Sequence, residues 1–328
     1  MRPALLVIGP SRSGSSALTG VLSHLGAGLP AHLLGAGRGN ERGHFEPQRL
    51  LDLNDEILAA HGLTYWDPLT IPPAWFDSAA AQSFTTRIAT IIADEYADAP
   101  LPILKDPRLC RLAPLYLHAL RQLGRIPFAL IPLRHPGEAA ASLAGRDNTP
   151  PETAELLQIR ELLGAEAHTQ GLPRTWVRYD SLLTDWRTTI THIATDLRLT
   201  WPIPPETAAP AIDAFLTPDL RHAPQAPIGP LALRLWNATI TEATIATEFP
   251  AIRSILAELD RLSTPWLTTT RTRLATAEST LATRTADVTR LTADVAAREE
   301  SLAIMRASSS WRITAPLRAI GSLLKKGK

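Results

Sequence analysis

The sequence predicts an α/β fold, a three-layer sandwich on a parallel sheet, followed by a C-terminal helical and coiled-coil extension. Three observations carry this. Four short apolar runs of strand character alternate with stretches of helical spacing. The first run ends in a glycine-containing turn that opens onto a helix. Beyond residue 266, apolar residues recur every seventh position.

The first strand is "ALLVIG", short and bounded by glycine, as a strand buried on both faces should be. "LPILKD" (101–106), "IPFALIPLR" (126–134) and "RTWVRYD" (174–180) follow as the other strands. Between them the spacing predicts helices over 15–25, 47–61, 78–96, 109–123, 137–145 and 152–170. "TYWDPLTIPPAWFDS" carries too much proline for a helix. It reads either as a loop beside the substrate or as a connector packed through Trp66 and Trp75. Tyr179 and Asp180 are expected to close the fourth strand and cap the next helix.

Past Leu220, "APQAPIGP" reads as a turn or linker before a helical stretch around 231–262. Leu267, Leu274, Leu281, Val288, Val295 and Leu302 then hold one heptad register. The companion positions Thr270, Ala277, Arg284, Leu291, Arg298 and Met305 are half polar. The segment is therefore either a weak two-stranded coil, hence a homodimer contact, or a single amphipathic helix. The tail sets Trp311, Ile313, Leu317 and Ile320 beside Arg312, Arg318, Lys325, Lys326 and Lys328. Such a basic amphipathic helix suits a membrane surface or a partner protein. The expected organisation is 1–222 as the nucleotide-binding and catalytic domain, 223–265 as a helical extension, 266–306 as the coiled-coil-like helix and 307–328 as the tail.

Composition narrows the function classes. A net charge of +1, with basic residues dispersed along 328 residues, argues against a nucleic-acid protein with a broad basic face. The apolar fraction of 45% supports a full core. The single cysteine, Cys110, excludes an intramolecular disulfide and reads as a core residue. With no leader and no long apolar span, the expectation is a cytoplasmic chain, in contact with a membrane only at its inner face.

The chemistry begins at "LLVIGPSRSGSSAL". Gly9 and Gly14 keep the spacing of a phosphate loop, but Ser15 stands where such a loop carries lysine, and Arg12 sits inside the turn. Unpaired N–H groups at the helix start, the hydroxyls of Ser15 and Ser16, and the Arg12 guanidinium make an anion site. A second anion element is Arg134 at the end of the third strand with Ser142 on the next helix. Around Asp106, Lys105 and Arg108 supply more cation than a metal site needs. Asp106 reads as the ion-pair partner that orients both.

Together these elements give a P-loop-like fold that resembles the sulfotransferases using 3′-phosphoadenylyl sulfate, in the bacterial branch with an Arg-Ser-Gly-(Thr/Ser)-Ser loop. "ERGHFEP", "ILKDPRLC", "LRHPGEAAASL" and "VRYDSLL" are similar to stretches of that family, and the resemblance covers roughly residues 3–222. It implies 3′-phosphoadenylyl sulfate as co-substrate, no metal, and a hydroxyl acceptor. Arg12 and the backbone of Ser13, Gly14, Ser15 and Ser16 would hold the 5′-phosphosulfate. Arg134 and Ser142 would hold the 3′-phosphate. Glu46 matches the catalytic base, with His44 as the alternative, and Lys105 or Arg108 would stabilise the transferred group. The histidine that follows the lysine in the animal cytosolic enzymes has no counterpart here. Arg221 and His222 are further, weaker matches. The C-terminal segment resembles endings of bacterial surface-polysaccharide enzymes, which makes a glycan or glycolipid the expected acceptor. Two alternatives stand beside this: a Mg²⁺-dependent kinase-like NTP enzyme, and a nucleotide-binding scaffold that works through its coiled coil.

Overall fold

A computed structural model describes residues 2–37, 43–97, 99–217 and 227–325. They form two compact units, residues 1–256 and 257–328.

The first unit is built on a four-stranded sheet: β1 (Arg2–Val7), β2 (Ile103–Lys105), β3 (Arg125–Leu133) and β4 (Arg174–Arg178). Its order is β2-β1-β3-β4 and every pairing is parallel. All four apolar runs of the sequence are strands. Leu5 pairs with Ile103 on one side and with Phe128 on the other, so β1 is central and buried on both faces.

Helices α1 (Ser15–His24), α2 (Gln48–Ala60), α3 (Ala79–Tyr96), α4 (Leu109–Gln122), α5 (Pro136–Asp147) and α6 (Pro151–His168) fall within a few residues of their sequence-derived limits. Proline supplies the first residue of α5 and α6, where its missing N–H costs nothing. The Pro-rich segment between α2 and α3 holds a short 3₁₀ turn (Pro73–Asp77). Trp75 packs there against the core, while Trp66 stays exposed and lines a cavity. Trp75 thus fits the packed connector.

After β4 come α7 (Tyr179–Thr184), α8 (Trp186–Leu197) and α9 (Pro205–Phe215). The strand ends at Arg178, two residues before the expected limit, and Arg178 rather than Tyr179 or Asp180 stands at the cap of α7, which those two residues open.

Alternation along the strands divides the core. Ala4, Leu6, Ile8, Ala129 and Ile131 face α2, α3, α4 and α6, whereas Leu5, Val7, Leu130 and Val177 face α1, α7, α8 and α9. This is the three-layer sandwich. Helix α10 (Pro230–Ala238) and the opening turns of α11 (Glu242–Ala307) join the first layer through Leu235, Ile245, Phe249, Ile252 and Leu256. Cys110 is a core residue, and burial pushes its thiol well above the ordinary range.

The second unit holds the remainder of α11, then α12 (Ser309–Ile313) and α13 (Ala315–Lys325). Leu274, Leu281, Val288, Val295 and Leu302 are all exposed on a continuous helix. The expected single tail helix is two: Ser308 Oγ accepts the N–H of Trp311 and caps α12, which closes at its C-cap Thr314 before α13 begins. Among the described residues, no helix is long and apolar enough to cross a membrane.

Candidate functional site

In an open parallel sheet, ligands sit outside the carboxyl ends of the strands where the connections diverge. Here β1 leads to β2 on one side and β3 leads to β4 on the other. A cavity of about 830 Å³ lies at that edge, lined by the loop after β1, Lys105 at the end of β2, Arg134 after β3 and Tyr179 after β4.

The loop backbone is unusual at two residues, Arg12 with φ +63° and Gly14 with φ +92°. A Cβ on Gly14 would lie 2.2 Å from the Tyr179 ring, and one on Gly9 would lie 2.7 Å from Pro132. Both glycines thus allow close packing on the protein itself, and Gly14 also lines the cavity. Helix α1 begins its ladder with the Leu18 N–H donating to the Gly14 carbonyl (3.0 Å), so its first-turn N–H groups precede the ladder beside the cavity. Ser15, Ser16 and Ala17 line it. Ser13 does not: its N–H donates to the Pro10 carbonyl (3.2 Å), and it edges a separate void of about 20 Å³ behind the loop.

From below, α6 grips the loop. The Ser11 N–H donates to Glu161 Oε2 (2.7 Å) and the Ser11 carbonyl accepts from Gln158 Nε2 (2.6 Å). Ser11 Oγ is hydrogen-bonded to Tyr65 OH. Burial is the main cause that lifts the Glu161 carboxyl to about 7.

Positive charge is concentrated on the cavity side. Arg12 Nε donates to Ser142 Oγ (2.9 Å) and Arg134 Nη1 donates to the Arg12 carbonyl (3.3 Å). Arg134 also pairs with Glu138 (3.1 Å) and stacks over Tyr179 (4.8 Å). Among the described residues, Arg134 Nη2 and Ser13 Oγ are buried without a hydrogen-bond partner. Burial first, then the charges of Arg146 and Arg134, push the Arg12 guanidinium below its ordinary range. Crowded like charges with a buried, unpaired donor are what an anion would relieve.

At the end of β2, Lys105 Nζ donates to Glu46 Oε1 (2.6 Å), to the His44 carbonyl (3.1 Å) and to Ser16 Oγ (3.2 Å). Both members of this ion pair are buried. His44 therefore reaches Lys105 through its backbone. Its ring Nδ1 donates to the Gly35 carbonyl (2.8 Å), since a carbonyl can only accept.

Asp106 faces Asn54 and Arg108. It orients Arg108 but not Lys105, whose carboxylate partner is Glu46. Arg108 is also held by Asp55 (2.6 Å) and lies over the Tyr65 ring (4.5 Å).

Arg12, Gly14, Ser15, Ser16, His44, Glu46, Lys105 and Arg134 thus border one cavity, with Ser142 bonded to Arg12. Glu41, Arg42, Arg221 and His222 lie outside the described residues. Sequence reasoning missed Gln158, Glu161, Arg146 and the role of Tyr65. The available signal was two polar residues three apart, Gln158 and Glu161, set among apolar neighbours on α6.

No family model and no curated protein matches the chain. Its structural neighbours are sulfotransferase domains. One is the sulfotransferase domain from the curacin biosynthetic pathway, at 16% identity and TM-score 0.38, covering 78% of this chain and 98% of that one. Another is the sulfotransferase domain from the Synechococcus PCC 7002 olefin synthase, at 17% identity and TM-score 0.39, covering 78% and 94%.

Proposed function

We propose that the chain transfers a sulfuryl group from 3′-phosphoadenylyl sulfate to a hydroxyl acceptor. The observation that carries this reading is convergence: a lysine-less anion loop, the Arg12–Arg134–Arg146 cluster and the buried Lys105–Glu46 pair border one cavity. The depressed Arg12 and the orphaned Arg134 Nη2 fit a ligand with two separate anionic groups.

On this reading the start of α1 and Arg12 hold the 5′-phosphosulfate, and Arg134 holds the 3′-phosphate. Ser142 acts through Arg12, whose Nε it accepts. Glu46 takes the proton of the acceptor hydroxyl as that oxygen attacks sulfur. The new bond is between sulfur and the acceptor oxygen. The bond that breaks joins sulfur to the bridging phosphate oxygen, and its electron pair leaves on the 5′-phosphate. Arg12 and the helix terminus stabilise the charge that develops there. Lys105 holds Glu46 and Ser16 in place, since all three of its protons are engaged. A sulfate ester and adenosine 3′,5′-bisphosphate result.

The kinase-like alternative asks for a carboxylate available at the end of β2. Asp106 is buried, with one oxygen accepting from Asn54 and the other from the Arg108 N–H and guanidinium, which favours the sulfuryl reading.

Calorimetric titration with adenosine 3′,5′-bisphosphate tests the proposal. Binding that weakens by about tenfold or more in Arg134→Ala is expected, as for loss of a charge-assisted contact. No binding, or binding indifferent to that substitution, overturns it.

A further inference from the structure

We infer that the acceptor is an alcohol with an apolar body, laid against Leu51, Ala59, Leu63 and Trp66, rather than a sugar held through its hydroxyls. The inference rests on the sulfuryl-transfer reading and names the acceptor class for the same site.

Leu51, Asp55 and Ala59 stand four residues apart on α2 and form one helix face along the cavity. Leu63 and Trp66 continue this wall, and Trp66 is 37% exposed on it. The Tyr65 ring meets the Trp66 indole edge to face at 4.6 Å, while Tyr65 is itself fixed by Ser11 and Arg108. The wall is therefore a preformed surface of mostly aliphatic and aromatic carbon, with the Asp55 carboxylate set in it.

Its polar groups have partners within the protein. Asp55 accepts two bonds from Arg108, at 2.6 and 3.2 Å. The Thr64 N–H and hydroxyl both donate to Asp67, at 2.7 and 2.9 Å. The carbonyls of Thr64 and Tyr65 accept from Arg111, at 3.3 and 2.9 Å. Among the described residues, no Asn or Gln lines the cavity. A sugar pressed on this wall would exchange most of its water hydrogen bonds for contact with carbon, with Asp55 as its acceptor there, whereas an aromatic or aliphatic alcohol loses only the hydration of carbon. One polar point is left for such an acceptor, its single hydroxyl, and the Lys105–Glu46 pair on the same cavity receives it.

The test is calorimetric titration of the full chain with 2-naphthol and with maltose, each with and without saturating adenosine 3′,5′-bisphosphate. 2-Naphthol is expected to bind at least tenfold more tightly than maltose. Leu51→Asp and, separately, Trp66→Ala should weaken 2-naphthol at least tenfold and leave the bisphosphate within twofold. Tighter binding of maltose, or no 2-naphthol binding in either condition, overturns the inference. So does an equal loss of bisphosphate and 2-naphthol in both variants, because the wall would then belong to the nucleotide base. If 2-naphthol binds as expected but the bisphosphate does not, the sulfuryl reading fails and the apolar subsite stands.

Discussion

Replacing Glu161 by glutamine separates the charge beneath the anion loop from the hydrogen bond that fixes it. Burial is the dominant cause that raises this carboxyl from its ordinary 4.5 to about 7. The Asp106 charge adds to it, against the lowering by the Ser11 N–H and Arg111. A rise of that size corresponds to about 3 kcal/mol. The folded value lies above the unfolded one, so the folded chain holds the proton more tightly. Stability from this group is complete below about pH 4.5 and is lost as pH climbs through about 7. Integrated from about pH 5 to about pH 8, the loss is about 2.5 kcal/mol. Glutamine has no proton to lose and keeps an oxygen for the Ser11 N–H. Glu161→Gln should therefore gain about 2.5 kcal/mol relative to wild type over that interval, whatever other groups titrate in both. Urea unfolding followed by tryptophan fluorescence at several pH values measures the difference. A difference that stays constant within about 0.5 kcal/mol, or that moves the other way, refutes the account of Glu161.

Lys105→Ala leaves the buried Glu46 without its cation and should cost about 3–5 kcal/mol, read from the urea midpoint; a loss below about 1 kcal/mol would show that the pair is solvated. Gly14→Ala places a Cβ 2.2 Å from Tyr179 at a φ of +92°, and should weaken adenosine 3′,5′-bisphosphate binding by about tenfold or more. Adding Tyr179→Ala should recover only part, since the φ strain persists. Truncation after Ser263 should leave nucleotide binding and the urea midpoint unchanged, because the α11 residues buried in the main core end at Leu256. If the heptad stripe pairs two chains, sedimentation equilibrium should show that the same truncation abolishes self-association.

The strands were legible because each is a short apolar run with a turn residue at its end, and a strand buried on both faces needs little else. Helix α7 was expected only as the helix after the fourth strand, and α8 and α9 were not predicted. Helix α7 follows β4 with no turn between them, α8 is rich in threonine, and α9 contains Pro210 in its interior, so local propensity argues against each. Burial of Leu182, Ile190, Ile193 and Ile212 against the sheet overrides it. In the site, Arg12, Lys105 and Arg134 announced themselves by standing at strand ends or in the loop. Glu161 and Gln158 did not, since they meet Ser11 across 150 and 147 residues of chain, and only the packing of α6 under the loop sets that contact. The Lys105–Glu46 pairing was hidden for the same reason, and Asp106 looked like the partner because it was adjacent in sequence.

The grip of α6 on Ser11 has an entropic side. Both backbone groups of one loop residue are tied to side chains one helical turn apart, so the loop shares the rigidity of a helix packed in the core. The left-handed Arg12, which would relax in a loose turn, is held in place when the chain folds. On the proposed function, an incoming anion meets a loop that is already ordered. Its binding free energy is not diminished by the roughly 1–2 kcal/mol per residue that fixing a free backbone would demand.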